Sequence, residues 1–262
     1  MSTKDVYSYP EYCEIAYNWD RTPECDFIEE CIRRYSSISV NSILDIACGT
    51  GIILREFARR GYKALGLDKS REMVEFVNRK ATLEGLDLKC VHSDMRSFQL
   101  GDKYGCVICM LDSFRYLLTD DDILSHFRSV AKELKVGGLY ILDFWMPKDE
   151  NVIEWEEARW VQQDKDISID ATYRQLAHTF SPKDKIFKDE LIFRIRSPKF
   201  NSTINGRTKT RLLFLSELKE LVRKSELFNY IDRFYNFDFD LKEGYNIKPI
   251  RTNIILRRKG ED

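Results

Sequence analysis

The chain has 262 residues, 43% of them hydrophobic and 32% charged, which is room for one large domain or a domain carrying an insertion. Forty-two Lys and Arg stand against 43 Asp and Glu, and a net charge of −1 argues against a general polyanion binder. Apolar runs fall far short of the roughly 18 residues of a membrane span, and the stretch MSTKDVYSYPEYCE has no basic segment followed by an apolar core, so a cytoplasmic protein is expected.

In chain order, Asp26 to Tyr35 read as a helix with Phe27, Ile28, Cys31 and Ile32 inward, beside the first strand. From residue 43 onward strand and helix signals alternate, the pattern of a parallel sheet with helices on both faces. SILDIA is strand one; the helix IILREFARR follows and stops at Gly61. ALGLD is strand two, and Ser70 is placed to cap a helix with Met73, Phe76, Val77 and Ala81 on one face. LKCVHSD and CVICMLD are strands three and four; Cys106 and Cys109 share a C-x-x-C spacing inside a buried strand and read as core thiols. Seven cysteines without paired C-x-x-C motifs indicate neither a disulfide framework nor a zinc site.

Thr119 and Asp122 resemble a capping box before Ile123, Phe127, Val130, Ala131 and Leu134, with Gly137-Gly138 expected to end that helix. LYILDFW is strand five. After Pro147 the period changes: residues 152 to 215 alternate with period two, with turns expected at SPKD and NSTING. A helix, SELKELVRKSELF, and two strands, NYIDRFYNFDF and TNIILRRK, close the pattern. The domain reading is therefore 1–150 with 216–262, interrupted by an inserted antiparallel β lid over 151–215 that shapes the substrate site.

The most informative segment is Ile43 to Gly51, an apolar strand running into the turn Ala47-Cys48-Gly49-Thr50-Gly51. Glycine has no Cβ and tolerates positive φ, so a ligand can lie against such a turn. A dinucleotide site would use G-x-G-x-x-G to seat a pyrophosphate; here Leu54 stands at the third glycine position and Asp45 precedes Gly49 by four residues. A carboxylate there repels a diphosphate and attracts a cation, and the natural cationic nucleoside is S-adenosylmethionine (SAM). The segment resembles motif I of the class I SAM-dependent methyltransferases, and the order of elements is similar to that family along nearly the whole chain. The resemblance implies an α/β Rossmann-like fold with a seven-stranded sheet.

Ligands of open parallel sheets bind beyond the carboxyl ends of the strands. There Asp45 would face the cofactor ammonium, Ala47, Cys48, Gly49 and Gly51 would offer backbone, Asp68 would accept the ribose hydroxyls, and Lys69 would lie along the adenine. Asp94 and Met95 would meet the adenine edge, and Met110 completes the set. The N-terminal tyrosines, DIACGTG, SDMRSF and the β insertion together resemble small-molecule methyltransferases that include the aminosugar N,N-dimethyltransferases. That resemblance implies Tyr17 near the cofactor carboxylate and Tyr12 near the substrate.

Methyl transfer needs a nucleophile held in line with the S–CH₃ bond about 3 Å from carbon, with water excluded and no metal. Acceptor-side candidates follow strand four: Asp112, Ser113, Arg115 and Tyr116, with Asp112 or Tyr116 accepting a proton or hydrogen bond. The absence of an Asn/Asp-Pro-Pro-Tyr/Phe motif disfavours nucleobase or glutamine N-methylation. His92 and His126 read as structural or solvated; His178, in the insertion among Trp160, Tyr173 and Phe180, is a candidate general base. Residues 183–211 hold nine Lys/Arg against three Asp/Glu, which reads either as a solvated strand face or as a lid meeting an anionic acceptor; on the second reading the expected substrate is a small-molecule amine on a phosphorylated or nucleotide-linked scaffold. Two alternatives stay open: a methyltransferase docking protein or RNA on the basic sheet, and a non-catalytic SAM-binding protein.

Overall fold

The computed structural model describes residues 5–147, 153, 155–241 and 251–260; the expected boundary at 150/151 lies outside them. Five strands, β1 (Ser42–Ile46), β2 (Lys63–Asp68), β3 (Leu88–His92), β4 (Tyr104–Cys109) and β5 (Leu134–Trp145), pair in parallel. β11 (Arg251–Arg258) lies antiparallel between β5 and β10 (Phe228–Tyr235), giving the order β10-β11-β5-β4-β1-β2-β3. The chain leaves β1 toward β3 and returns to β4, so the order reverses between β1 and β4 and a crevice opens at their carboxyl ends.

Both faces of this sheet are covered, as alternation along the buried strands requires. On one face Leu44, Ile46, Val107, Cys109, Tyr140, Leu142 and Ile254 pack with Ile123, Phe127 and Val130 of α5 (Asp120–Glu133) and Leu218 and Leu221 of α6 (Leu215–Ser225). On the other, Ile43, Cys106, Ile108, Ile141 and Ile255 meet Phe27, Ile28 and Cys31 of α2 (Thr22–Tyr35) and Ile53 and Phe57 of α3 (Ile52–Arg59). Local signals behave as expected: Ser70 Oγ accepts the Met73 N–H at 3.2 Å to start α4 (Arg71–Glu84), and Thr119 and Asp122 exchange bonds of 3.0 and 3.2 Å at the start of α5. Cys106 and Cys109 are free, fully buried core thiols. No helix among the described residues is long and apolar enough to cross a membrane.

Two expectations are corrected. α5 ends at Glu133 and β5 begins at Leu134, so Gly137 and Gly138 lie inside a strand and do not end the helix. Their smallness serves close approach: a Cβ on Gly138 would stand 2.5 Å from the carbonyl oxygen of Gly105 on β4. The segment NSTING is the start of a strand, not a turn. The reversal falls at Ser197–Phe200, where the Ser197 N–H donates to the Phe200 carbonyl at 3.0 Å, and ladder pairing from Asn201 to Arg211 outweighs the turn preference of Asn and Gly. The second sheet is the antiparallel meander β6 (Glu157–Asp164), β7 (Ile167–Ser181), β8 (Ile186–Arg196) and β9 (Asn201–Arg211).

His126 is wholly buried on α5, with Nδ1 2.7 Å from the Met95 carbonyl and Nε2 2.5 Å from the Tyr140 hydroxyl. A carbonyl only accepts, so Nδ1 carries the proton and Nε2 accepts from the phenol. Burial pulls the imidazole down to about 4.

Two predictions follow from this packing. Gly138→Ala should destabilise by about 1–3 kcal/mol through overpacking against a backbone oxygen, read from the denaturation midpoint. For His126 the unfolded chain binds the proton more readily than the folded one, so stability should fall by about 1.4 kcal/mol per pH unit below roughly 6.5 and level off near pH 4. His126→Gln should flatten that slope in urea titrations between pH 6.5 and 5.

Candidate active site

A cavity of about 840 Å³ opens at the carboxyl ends of β1 to β5, roofed by the inner face of the second sheet and by the N-terminal segment Asp5 to Tyr17. Its floor is the glycine turn. Ala47, Gly49 and Gly51 all take positive φ (56°, 56° and 72°), and the turn is fastened by the Cys48 N–H to Leu67 and by the Gly49 N–H to Asp68 Oδ2 at 2.8 Å. A Cβ on Gly49 would project into open space, so the turn is a cradle with room above it. Gly51 does not line the cavity: it caps α3, and a Cβ there would press on Val77 at 3.0 Å, so its place is to set the turn.

The three strand-end acids converge on this cradle. Asp45 is 3% exposed and lines the cavity with no hydrogen-bond partner among the described residues; burial raises its carboxyl well above the usual range and the Asp68 charge adds to this. A cation seated against it would restore the carboxylate. Asp68 also accepts the Ser70 N–H at 2.8 Å; burial pushes its carboxyl up and the two backbone donors pull it back. Asp94 faces two cations, Arg96 at 2.6 Å and Lys69 at 3.4 Å, and Arg96 holds its carboxyl well below the usual carboxylate range. Lys69 is thus a partner of Asp94 at the rim. Met95 and Met110 line the wall beside them.

At the N-terminal side Tyr17 lines the cavity and packs on Trp160 at 5.7 Å between ring centres. Beside it the guanidinium of Arg21, 4% exposed, bonds Glu24 at 2.8 Å and the Tyr17 carbonyl at 3.1 Å, while its Nε reaches no partner. Tyr12 is placed differently from the expectation: it stacks on Tyr9 at 6.0 Å and packs in the apolar cluster of the N-terminal segment, off the cavity wall. Tyr7 takes the position, its hydroxyl 2.8 Å from that of Tyr116.

The turn after β4 carries Leu111 and Asp112 at positive φ (53° and 64°), a strained pair held by specific bonds. Leu111 N–H donates to Asp143 Oδ2 at 2.9 Å, and Asp112 Oδ1 accepts the Trp145 N–H at 2.5 Å. Asp112, Ser113 and Tyr116 line the cavity; burial pushes the Tyr116 phenol up, which keeps it neutral. Arg115 does not line it. Its side chain is fully buried behind the wall, bonding Thr210 Oγ1 at 3.3 Å, with Asp112 at 3.3 Å and Asp189 at 3.9 Å. Its charge acts on the site through those two acids.

His178 is exposed, in the bulged part of β7 between Leu176 and Ser181, outside the cavity. Period-two geometry and the bulge carry it away from the inner face that Tyr173 and Gln175 share. Of the nine basic residues in 183–211, Lys209 is the one on the cavity wall. Others are paired elsewhere: Lys185 with Glu217, Arg207 with Glu190 and Arg211 with Asp120.

Sequence reasoning missed Tyr7, Arg21, Glu156, Tyr173, Asp189, Thr208 and Arg251, all of which line the cavity. A signal existed for Asp189. In KIFKDELIFRIR it falls in phase with the buried Phe187, Leu191, Phe193 and Ile195, a polar residue on the apolar side of a strand.

A family model described as a methyltransferase domain matches residues 43–138. The chain is 29% identical over 145 residues to a dTDP-3-amino-3,4,6-trideoxy-alpha-D-glucopyranose N,N-dimethyltransferase of Streptomyces venezuelae, covering 55% of this chain and 59% of that one. Matches with the curated relatives span about half to three-fifths of their length, 51% to 59% in three of them. Among solved structures, a SAM-dependent methyltransferase from Clostridium acetobutylicum superposes with a TM-score of 0.75 at 20% identity, over 95% of this chain and 97% of that one. The sugar N-methyltransferase KedS8 from Streptoalloteichus does so at 0.75 and 18% identity, over 99% and 95%. Residues 43–138 thus match a methyltransferase domain model, and the chain as a whole shares its Rossmann-like fold with solved SAM-dependent methyltransferases.

Proposed function

We propose that this chain is a SAM-dependent methyltransferase acting on the amine of a small molecule, with the sheet β6 to β9 as the substrate-side roof. The observation that carries the reading is the buried, unpartnered carboxylate of Asp45 beside a glycine cradle with open space above it. A buried charge without a partner is costly, and such groups concentrate where a ligand supplies the counter-charge.

The residues present fit the cofactor. Asp45 would meet its ammonium, Arg21 and the Tyr17 side its carboxylate, Ala47, Cys48 and Gly49 its flank, Asp68 its ribose hydroxyls, and Asp94 with Met95 its adenine. Bound there, SAM supplies an electrophilic methyl group. The chain's own residues then have three tasks: to orient the acceptor from the strained turn at Asp112 and Ser113, to keep water out with Tyr7, Tyr116 and Trp160, and to manage the acceptor's proton. An amine is supported by relatives whose names are N-methyltransferases. A polynucleotide or phosphorylated acceptor finds little support, because the basic residues of 183–211 are paired or face away from the cavity apart from Lys209.

Calorimetry tests the cofactor half. Asp45→Asn removes the charge without removing a hydrogen bond, so SAM affinity should drop about 10- to 100-fold, equivalent to roughly 1.4–3 kcal/mol, while the thermal midpoint of the ligand-free protein holds or rises. Unchanged affinity would place the ammonium elsewhere. The catalytic half is tested by incubation with SAM and a metabolite extract, with S-adenosylhomocysteine and a product 14 mass units heavier read by mass spectrometry. Tight SAM binding with no turnover in any extract would leave a binding protein.

A further inference from the structure

The far end of the cavity is acidic. Three carboxylates line it from three separate segments: Asp112 on the turn after β4, Glu156 just before β6, and Asp189 on β8. Asp189 is 6% exposed; Thr210 Oγ1 donates to its Oδ2 at 2.9 Å, while Oδ1 reaches no hydrogen-bond partner. The Tyr173 hydroxyl interacts with this carboxylate without closing a hydrogen bond, and the Gln175 side-chain nitrogen on the same sheet face also lacks a partner. Native proteins satisfy nearly all such groups, so the two unsatisfied atoms on the cavity wall, Asp189 Oδ1 and the Tyr173 hydroxyl, mark the place of a polar ligand.

The nearby cations offset these acids only in part: Arg115 pairs with Asp112 and Asp189, and among the described residues no cation forms an ion pair with Glu156. Arg251 is consumed by Asp143 and Glu24, and Arg115 lies behind the wall between Asp112 and Asp189. Lys209 is at the wall beside Thr208 and Thr210. The groups that act on Glu156 are Asp112, Arg115, Asp189 and Arg251.

We propose that Asp189, Glu156 and Asp112 form an ammonium-accepting subsite that selects a cationic amine as methyl acceptor, and that the Glu156 carboxylate takes the proton the amine must shed. The proposal rests on the methyltransferase reading above. An alkylammonium has no lone pair for displacement at carbon. Transfer of one N–H proton to a Glu156 Oε converts R–NH₃⁺ and –COO⁻ into R–NH₂ and –COOH, with no further reactant. Desolvation lowers the ammonium's affinity for the proton while the carboxylates that hold it raise it, and the proton leaves as the nitrogen lone pair is drawn to the methyl carbon. Burial, aided by Asp112, raises Glu156 to about 7 and Asp189 to about 6, so the acceptor and donor sides approach each other. A neutral hydroxyl acceptor would leave the excess negative charge uncompensated.

The test is carboxyl-carbon NMR on the full chain saturated with S-adenosylhomocysteine, the Glu156 signal being assigned with Glu156→Gln. The Glu156 carboxyl should titrate between pH 6 and 8, and propylammonium chloride should lower its midpoint by one unit or more, whereas 1-propanol at the same concentration leaves it in place. Asp189→Asn, which retains an oxygen for Thr210, should lower the midpoint by itself and cut the propylammonium response at least in half. A Glu156 midpoint below 5, equal responses to the two probes, or a full response in Asp189→Asn overturns the subsite. Failure of S-adenosylhomocysteine to bind at all overturns the methyltransferase reading beneath it, and the subsite with it.

Discussion

A carboxylate with no exposed surface, Asp143 at the end of β5, holds the site together. Arg251 bonds both its oxygens, the Leu111 N–H and the Asn253 amide add two more bonds, and Arg251 extends its other nitrogen to Glu24 at 3.1 Å. Glu24 in turn receives Arg21, which donates to the Tyr17 carbonyl. One desolvated charge therefore fixes the turn after β4, strand β11, helix α2 and the N-terminal segment relative to one another. Taking Arg251 away would strand the Asp143 charge where water cannot reach it, at a cost of about 3–5 kcal/mol. That same network is what keeps Leu111 and Asp112 at positive φ, conformations that cost about 1–3 kcal/mol each when unsupported.

Charge is sorted by strand parity in the second sheet. Arg174, Glu190 and Arg207 sit opposite one another on β7, β8 and β9, and the two arginines clasp the nearly unexposed Glu190, holding its carboxyl down at about 2 against the push of burial. The next residue on β8, Asp189, faces the other way into the cavity. A segment that counts as basic along the sequence therefore brings Asp189 to the cavity wall with only Lys209 of its nine cations, while Arg207 compensates Glu190 on the outer face. Desolvation of Glu190 offsets much of what these pairs add to stability; their effect is to hold the two arginines on the outer face.

The strand ends and the glycine turn were legible because their geometry is local. A strand, a tight turn and a helix start within a few residues, so Asp45, Gly49, Asp68 and Asp94 could be placed from hydrophobic period and punctuation alone, and the caps at Ser70 and Thr119 likewise. Gly137 and Gly138 were misplaced because the demand on them is steric and comes from Ser37 and from Gly105 respectively, contacts no local pattern encodes. His178 was misplaced for a related reason: its parity depends on a bulge between Leu176 and Ser181 that shifts register near the end of the strand. Glu156, Tyr7 and Arg251 gave no signal at all, since each gains its meaning from partners distant in sequence, more than a hundred residues away for Tyr7 with Tyr116 and Arg251 with Asp143.

This division explains how the likeness to known proteins is distributed. Similarity in sequence concentrates on residues 43–138, the block that builds the glycine turn and the strand-end acids, whereas likeness of fold runs over 95% of the chain. The far compartment is assembled from residues 7, 112–116, 156–210 and 251, most of them outside that block. Cradling one fixed cofactor constrains a short stretch of backbone tightly. Recognising an acceptor constrains only which side chains point inward from two sheets, and those can be exchanged one at a time while the sheets stay put. The two demands act on different residues, so on the proposed reading the choice of acceptor falls to the wall that Asp189, Glu156 and Tyr173 line, and not to the glycine turn.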